Sequence, residues 1–284
     1  MRKVLLLFLF AINGLLAQNQ SEIRLIVRSD DMGFCHSVNT ACIEAFKNGI
    51  SRTVEIMAPT PWFPEAVKLL QANPTYDVGI HLVLTSEWEN LKWRPLTTAP
   101  SLVDADGFFL PFIWENKNAP QTAYLTQRKI NLQEVEAELR AQIELVKRHL
   151  PQVSHLSGHM GCNHTNPEIK SLVDRLAIEY QLPIEIKTPF TYVKDFSGNQ
   201  KSPQQKEKDL IKILENLKPG THYIVEHPGY LQGDMETVGH KGYENVAYDR
   251  QGITQAFTSP AVKKVIAKRK IRLMSVKELI QMNQ

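Results

Sequence analysis

Cysteine is scarce in this chain: Cys35, Cys42 and Cys162 are the whole supply in 284 residues. Three thiols, an odd number, do not make a disulfide scaffold. Seven residues of helix would hold Cys35 and Cys42 about 10 Å apart, beyond the reach of a bridge. All three read as small packing residues. A strong charge of one sign is also lacking. The formal net charge is +3, evenly spread, which argues against a nucleic-acid partner. There is no Gly-x-Ser-x-Gly elbow, no phosphate-cradling Gly-rich loop and no His-Glu-x-x-His helix, so the matching hydrolase, nucleotide and zincin-peptidase classes are disfavoured. No internal repeat, low-complexity tract or interdomain linker interrupts the chain.

Long apolar runs are missing except at the start. Met1-Arg2-Lys3 is basic, Val4 to Ile12 is apolar, and Leu15-Leu16-Ala17 follows Asn13-Gly14. This reads as a secretory signal peptide cut near Ala17, too short for a comfortable membrane span. The expected chain is therefore exported, periplasmic or secreted. It forms a single domain over 18–284, a length that can bury a large core.

What is present is an alternation of strand and helix patterns. Ile23 to Val27 is strand-like, and Val38, Ala41, Cys42, Ala45 and Phe46 mark one face of a helix ending at Asn48-Gly49. A strand over Ser51–Met57, a helix over Phe63–Gln71 and a strand over Val78–Leu84 continue a β-α-β-α-β order, which favours a parallel sheet or barrel. A Trp-, Pro- and Phe-rich insertion over about 85–123 breaks the rhythm. Its aromatics either stack on sugar rings or only pack the loop onto the body. A long amphipathic helix from Leu132 to Leu150 stops at Pro151, and another starts at Pro167 behind Asn166 as N-cap. Ile184–Ile186 reads as a short strand, Lys194–Lys206 as a mobile surface loop, Thr221–Glu226 as a strand, and Ile271–Met282 as a last strand and helix.

Chemistry-bearing residues cluster at the ends of these strands. Adjacent carboxylates, Asp30 and Asp31, repel unless a cation or shared proton relieves them; the simpler alternative is that one merely caps the next turn. The working expectation is that Asp31 holds a divalent metal and Asp30 handles a proton. His81, His155, His159 and His227 lie at or just after other strand-like runs. One carboxylate with two imidazoles is a common ligand set for a catalytic divalent metal, with a second carboxylate as base and a further His as acid.

The stretches that carry these residues resemble a known family. They are Ser29-Asp30-Asp31-Met32-Gly33 with Ser37-Val38-Asn39, Gly79-Ile80-His81-Leu82-Val83-Leu84-Thr85, His155-Leu156-Ser157-Gly158-His159-Met160-Gly161, and His227-Pro228-Gly229. In order and spacing they are similar to the YdjC-like carbohydrate deacetylases, which include the chitooligosaccharide deacetylases; the similarity runs from about Arg24 to Leu279. The resemblance implies an irregular or incomplete (β/α) barrel like that of other polysaccharide deacetylases. It implies removal of acetyl groups from N-acetylated sugars with a divalent metal, Zn²⁺ or Mg²⁺. It also implies Asp31, His81 and His159 as metal ligands, with His155 as the alternative, Asp30 as general base, and His227 orienting or protonating the leaving amine. Two residues depart from the family pattern. Ser157 stands where the family has an acid, in His-x-Asp-x-His, and Arg28 replaces a frequent small residue. The lost carboxylate keeps open a weakly catalytic or inactive sugar-binding protein. Hydrolysis of another amide or ester is the third possibility.

Overall fold

The structure, a computed structural model, describes residues 22–184 and 186–282. The signal-peptide expectation lies outside the described residues. In chain order the main elements are β1 (Ile23–Met32), α1 (His36–Lys47), β2 (Thr53–Ile56), α2 (Phe63–Gln71), β3 (Asp77–Leu82), α3 (Leu132–His149), β4 (Val153–Gly158), α4 (Pro167–Tyr180), β5 (Thr191–Tyr192), α5 (Pro203–Asn216), β6 (Gly220–Glu226), α6 (Val246–Thr258), α7 (Pro260–Lys268), β7 (Arg272–Met274) and α8 (Val276–Gln281). The strands run in the order β4-β3-β2-β1-β6-β5, and every pairing is parallel. β7 lies beside the N-terminal half of β1, pairing Arg24 with Arg272. The sheet curls into an incomplete (β/α) barrel, as the alternation and the resemblance both led us to expect.

β1 is covered on both faces, although Arg24 and Arg28 flank Ile26 on one of them. Leu25 and Val27 pack with Ala45 of α1 and Phe257 of α6 on the outside. Ile26 points the other way, into a small cluster with Tyr223, Met274, Val276 and Leu279. That cluster fills the N-terminal end of the curl. α8 sits there, its Ser275–Glu278 capping box complete, with Val276 N–H donating to Thr53 Oγ1 at 2.9 Å and Lys277 N–H to Asp77 Oδ2 at 3.0 Å. The curl is thereby plugged at its N-terminal end, and chemistry is left to the C-terminal strand ends.

Two expectations need correction, and an open alternative is narrowed. Ile184 and Ile186 are not in a strand, and Glu185 lies outside the described residues; the short strand in this region is Thr191–Tyr192. Lys194–Lys206 is not all surface loop, because Ser202 caps α5 by accepting from Gln205 N–H and residues from Pro203 onward are helical. Lys206 is fully buried, held by Asp249 through its backbone carbonyl at 2.8 Å and through its carboxylate. The aromatics of the insertion mostly pack: Trp88, Trp93, Phe109 and Phe112 are buried, while Trp114 remains 46 % exposed. The insertion is held to α3 by Glu138, whose carboxylate accepts from Leu96 N–H, Thr97 N–H and the Thr97 hydroxyl.

Candidate metal centre and active site

Strand alternation would send Asp30 and Asp31 to opposite faces of the sheet. The backbone prevents this. The β1–β2 register shifts between Ser29 and Met32, and Asp31 takes a left-handed φ of 69°. A non-glycine residue in that region is strained, and such strain concentrates at functional sites. Here it brings both carboxylates into one buried pocket, where His81 Nε2 lies 3.8 Å from Asp30 Oδ2 and 3.6 Å from Asp31 Oδ1.

The turn after β4 does similar work. Met160 and Gly161 both have positive φ, 50° and 72°, and this turn leaves His159 Nδ1 at 3.3 Å from Asp31 Oδ1. The rings of His81 and His159 meet edge to face. One donor atom from each of Asp31, His81 and His159 lies within 4.8 Å of the others, and all three residues are buried. This group could hold a metal ion. Asp31 Oδ1 is buried and makes no hydrogen bond to any described residue. Four donors at the zinc distance of about 2.0–2.1 Å would be spaced about 3.3 Å apart in a tetrahedron. The observed 3.3 and 3.6 Å fit that spacing with little movement.

The remaining predicted residues divide clearly. His227 Nε2 lies 3.9 Å from Asp31 Oδ2, with its side chain 41 % exposed, so it borders the site from the open side. His155 is not in the cluster. Its Nε2 meets Glu55 Oε1 at 2.7 Å and its Nδ1 meets Ser154 Oγ at 2.7 Å, which occupies both ring nitrogens. The alternative ligand is thus engaged elsewhere. All three cysteines are buried and unpaired, and burial raises the Cys35, Cys42 and Cys162 thiols above their ordinary values.

Electrostatics tie these groups together. Burial works to raise the Asp31 carboxyl, but the charges of His227 and Arg250 outweigh it and hold the carboxyl well below its usual range. Arg250 donates to Asp31 Oδ2 at 2.7 Å. Burial pushes His81 down to about 4. Burial also acts against the charged form of His159, yet Glu87 and Asp31 overcome it and lift that imidazole to about 10. His159 therefore has to give up a proton before it can ligate a metal. Its other nitrogen, Nε2, faces Glu87 Oε2 at 3.0 Å. A carboxylate behind a ligand imidazole is a common way of fixing the ring.

The profile of the YdjC-like protein family matches residues 24–268. The chain belongs to this family. Among relatives of this YdjC-like protein, a carbohydrate deacetylase of Geobacillus stearothermophilus is 27 % identical over 90 % of this chain and 98 % of its own length. A chitooligosaccharide deacetylase of Yersinia enterocolitica is 29 % identical over 88 % and 97 %. A crystal structure from Enterococcus faecalis, of a protein provisionally named a cellobiose-phosphate cleavage protein, superposes with a TM-score of 0.70 at 24 % identity. It covers 91 % of this chain and 99 % of its own. That likeness concerns the fold alone.

Several residues at this YdjC-like site lie outside the motifs. Arg28 grips Asp30 with two contacts of 2.7 Å, Nε to Oδ1 and Nη2 to Oδ2. Arg250 comes from α6, and Glu87 from the insertion. Glu55 is fully buried in the middle of β2. The signal that could have found Glu55 is a carboxylate inside a four-residue strand that is otherwise Thr, Val and Ile. Such a group is buried only with partners.

Proposed function

We propose that this protein is a metal-dependent hydrolase that removes acetyl groups from N-acetylated sugars or oligosaccharides. The observation that carries the reading is the orphaned Asp31 Oδ1, aimed between His81 Nε2 and His159 Nδ1 with a second carboxylate, Asp30, beside it. The relatives named as carbohydrate and chitooligosaccharide deacetylases support the substrate class.

The reaction is amide hydrolysis. Asp31, His81 and His159 would hold the cation, and two imidazoles with one carboxylate suit Zn²⁺ better than Mg²⁺. When bound, the cation supplies Lewis acidity for the acetyl carbonyl and lowers the pKa of the attacking water. Asp30 takes the water proton as the oxygen bonds to the carbonyl carbon. Arg28 fixes this carboxylate in place by gripping both of its oxygens. The C–N bond then breaks. His227, partly exposed at the rim, delivers a proton to the leaving nitrogen, and acetate and a free amino sugar leave. Trp114, exposed and anchored by its Nε1–H to Met160 O at 3.2 Å, offers a flat apolar face at the turn after β4 for a sugar ring. The leader-like residues 1–17 support an exported location, which fractionation of the native host checks.

The test is acetate release from N-acetylated mono- and oligosaccharides with Zn²⁺, Mg²⁺, Mn²⁺ or Co²⁺, beside Asp30→Asn. The expected result is metal-dependent release, with kcat of the variant down at least ~10²-fold and its metal affinity retained. Release that needs no metal, or an Asp30→Asn chain with normal turnover, refutes the reading.

A further inference from the structure

Resting on the deacetylase reading, the geometry points to Glu55 as the carboxylate that orients His81, acting from β2 through the hydroxyl of Ser157. The three residues lie on adjacent strands of one sheet face. Glu55 pairs with Gly79 of β3, Gly79 pairs with His155 of β4, and two residues further along His81 pairs with Ser157. β3 stands between Glu55 and β4, so a side chain at position 79 would block the way. Gly79 removes that obstacle: a Cβ placed there would overlap the Glu55 carboxylate. The carboxylate passes over the glycine, meets His155 Nε2 at 2.7 Å with Oε1, and accepts a short hydrogen bond from Ser157 Oγ with Oε2.

The direction of each hydrogen bond follows from the donor inventory. An ionised carboxylate only accepts, so the single Ser157 proton goes to Glu55. The hydroxyl oxygen can then only accept from its other neighbour, His81 Nδ1, at 2.7 Å. His81 must carry its proton on Nδ1, which leaves the Nε2 lone pair facing Asp31 Oδ1 at 3.6 Å. A ring held the other way round would present an N–H to the site and could not ligate. The carboxylate missing at position 157 is thus supplied from position 55, one hydroxyl further away. Glu55 and Ser157 are positioning residues, since neither touches the reacting atoms.

The experiment measures zinc affinity of the full exported chain by competition with a chromophoric chelator, and the His81 tautomer by long-range ¹⁵N NMR of the metal-free protein. Ser157→Ala leaves the Glu55–His155 pair intact and removes only the hydroxyl. Glu55→Gln lets an amide donate to Ser157 and frees the serine proton to turn around. Both variants are expected to lose ~10–100-fold in zinc affinity, with the Nδ1–H signal of His81 no longer dominant and KM for the sugar within about twofold of wild type. Adding Ser157→Asp to Glu55→Gln puts a carboxylate directly against His81 Nδ1 and should restore affinity to within about threefold. Wild-type affinity in either folded single variant, or no recovery in the double variant, overturns the assignment while the deacetylase reading stands. A wild-type chain that binds no zinc and releases no acetate overturns both.

Discussion

Gly79→Ala is the substitution for which two magnitudes compete. In an ordinary strand, replacing glycine by alanine stabilises by roughly 0.4–1 kcal/mol, because the unfolded chain loses freedom. Gly79 is not in the left-handed region, so its backbone sets no penalty of its own. The added methyl, however, meets both oxygens of Glu55. The end of a glutamate is normally free to swing aside, but this one is clamped by His155, by Ser157 and, at 3.9 Å, by Arg28 Nε. Displacing it breaks two charge-assisted hydrogen bonds, worth about 1.5–3 kcal/mol each. The loss exceeds the gain, for a net cost of roughly 2–5 kcal/mol, or about 5–15 °C in Tm for a domain of this size. Calorimetry measures the single change, and a double-mutant cycle with Glu55→Ala isolates its cause. With no carboxylate to displace, Gly79→Ala should become neutral or mildly stabilising, giving a coupling of at least ~2 kcal/mol. A Gly79→Ala chain that melts at or above wild type would show that Glu55 does not cross β3 as described.

Other expectations are simpler. Trp114→Ala should raise KM for an N-acetylated oligosaccharide about tenfold, the equivalent of one lost stacking contact of ~1.4 kcal/mol; steady-state kinetics with an unchanged KM would remove Trp114 from the sugar site. Burial alone would raise Glu55, but His155 and Arg28 outweigh it and hold the carboxyl down to about 2. Since the folded value is depressed, the stabilisation is complete above the unfolded value near 4.5 and fades as pH falls towards 2. Urea midpoints should therefore show an acid loss on the order of 3 kcal/mol, absent in Glu55→Gln. Lys206→Met strips Asp249 of its buried partner and should cost about 3–5 kcal/mol; a wild-type melting curve would mean that the Lys206 ion pair contributes nothing.

What could be read from the sequence depended on what each signal encodes. Strand and helix periodicity located α1, α2, α3 and β6 within a few residues, whereas β1 runs past the apolar stretch ending at Val27 to Met32 and takes in the Asp pair. Asn166 announced α4 correctly, accepting from Ile169 N–H as an N-cap should. α5 went unnoticed because its buried stripe includes Lys206 beside Leu210 and Leu214, and a lysine reads as surface until Asp249 is placed against it. The aromatics of the insertion carried no information about which way they face. Among the site residues, the motif positions Asp30, Asp31, His81 and His159 do meet in one pocket. Arg250 and Glu87 could not be read, since each acts across a distance in sequence: Arg250 reaches Asp31 over 219 residues. Glu55 left only the trace of a carboxylate inside an apolar strand, which does not say what it meets. Nor does the spelling Asp-Asp predict that both side chains point the same way; that depends on the register shift and positive φ at Asp31.

The same pairings explain why one oxygen is left over. Arg28 holds both oxygens of Asp30, His155 and Ser157 hold those of Glu55, and Glu87 stands behind His159. Arg250 takes Asp31 Oδ2 and stacks over Phe34, 5.0 Å from the ring centre, which keeps the guanidinium from swinging across to Oδ1. Among the described residues, Asp31 Oδ1 and the Nε and Nη1 of Arg250 beside it are left without a hydrogen bond, and an unpaired buried acceptor costs about 1–3 kcal/mol. A cation held at this oxygen, as proposed above, would relieve that cost. A dication held by Asp31, His81 and His159 in exchange for the His159 proton would make the pocket one positive charge richer. That is the sign a developing oxyanion needs. Asp31 Oδ1 faces the charged His159 imidazole, Nδ1 at 3.3 Å, so the positive charge a cation would replace already sits on this ring.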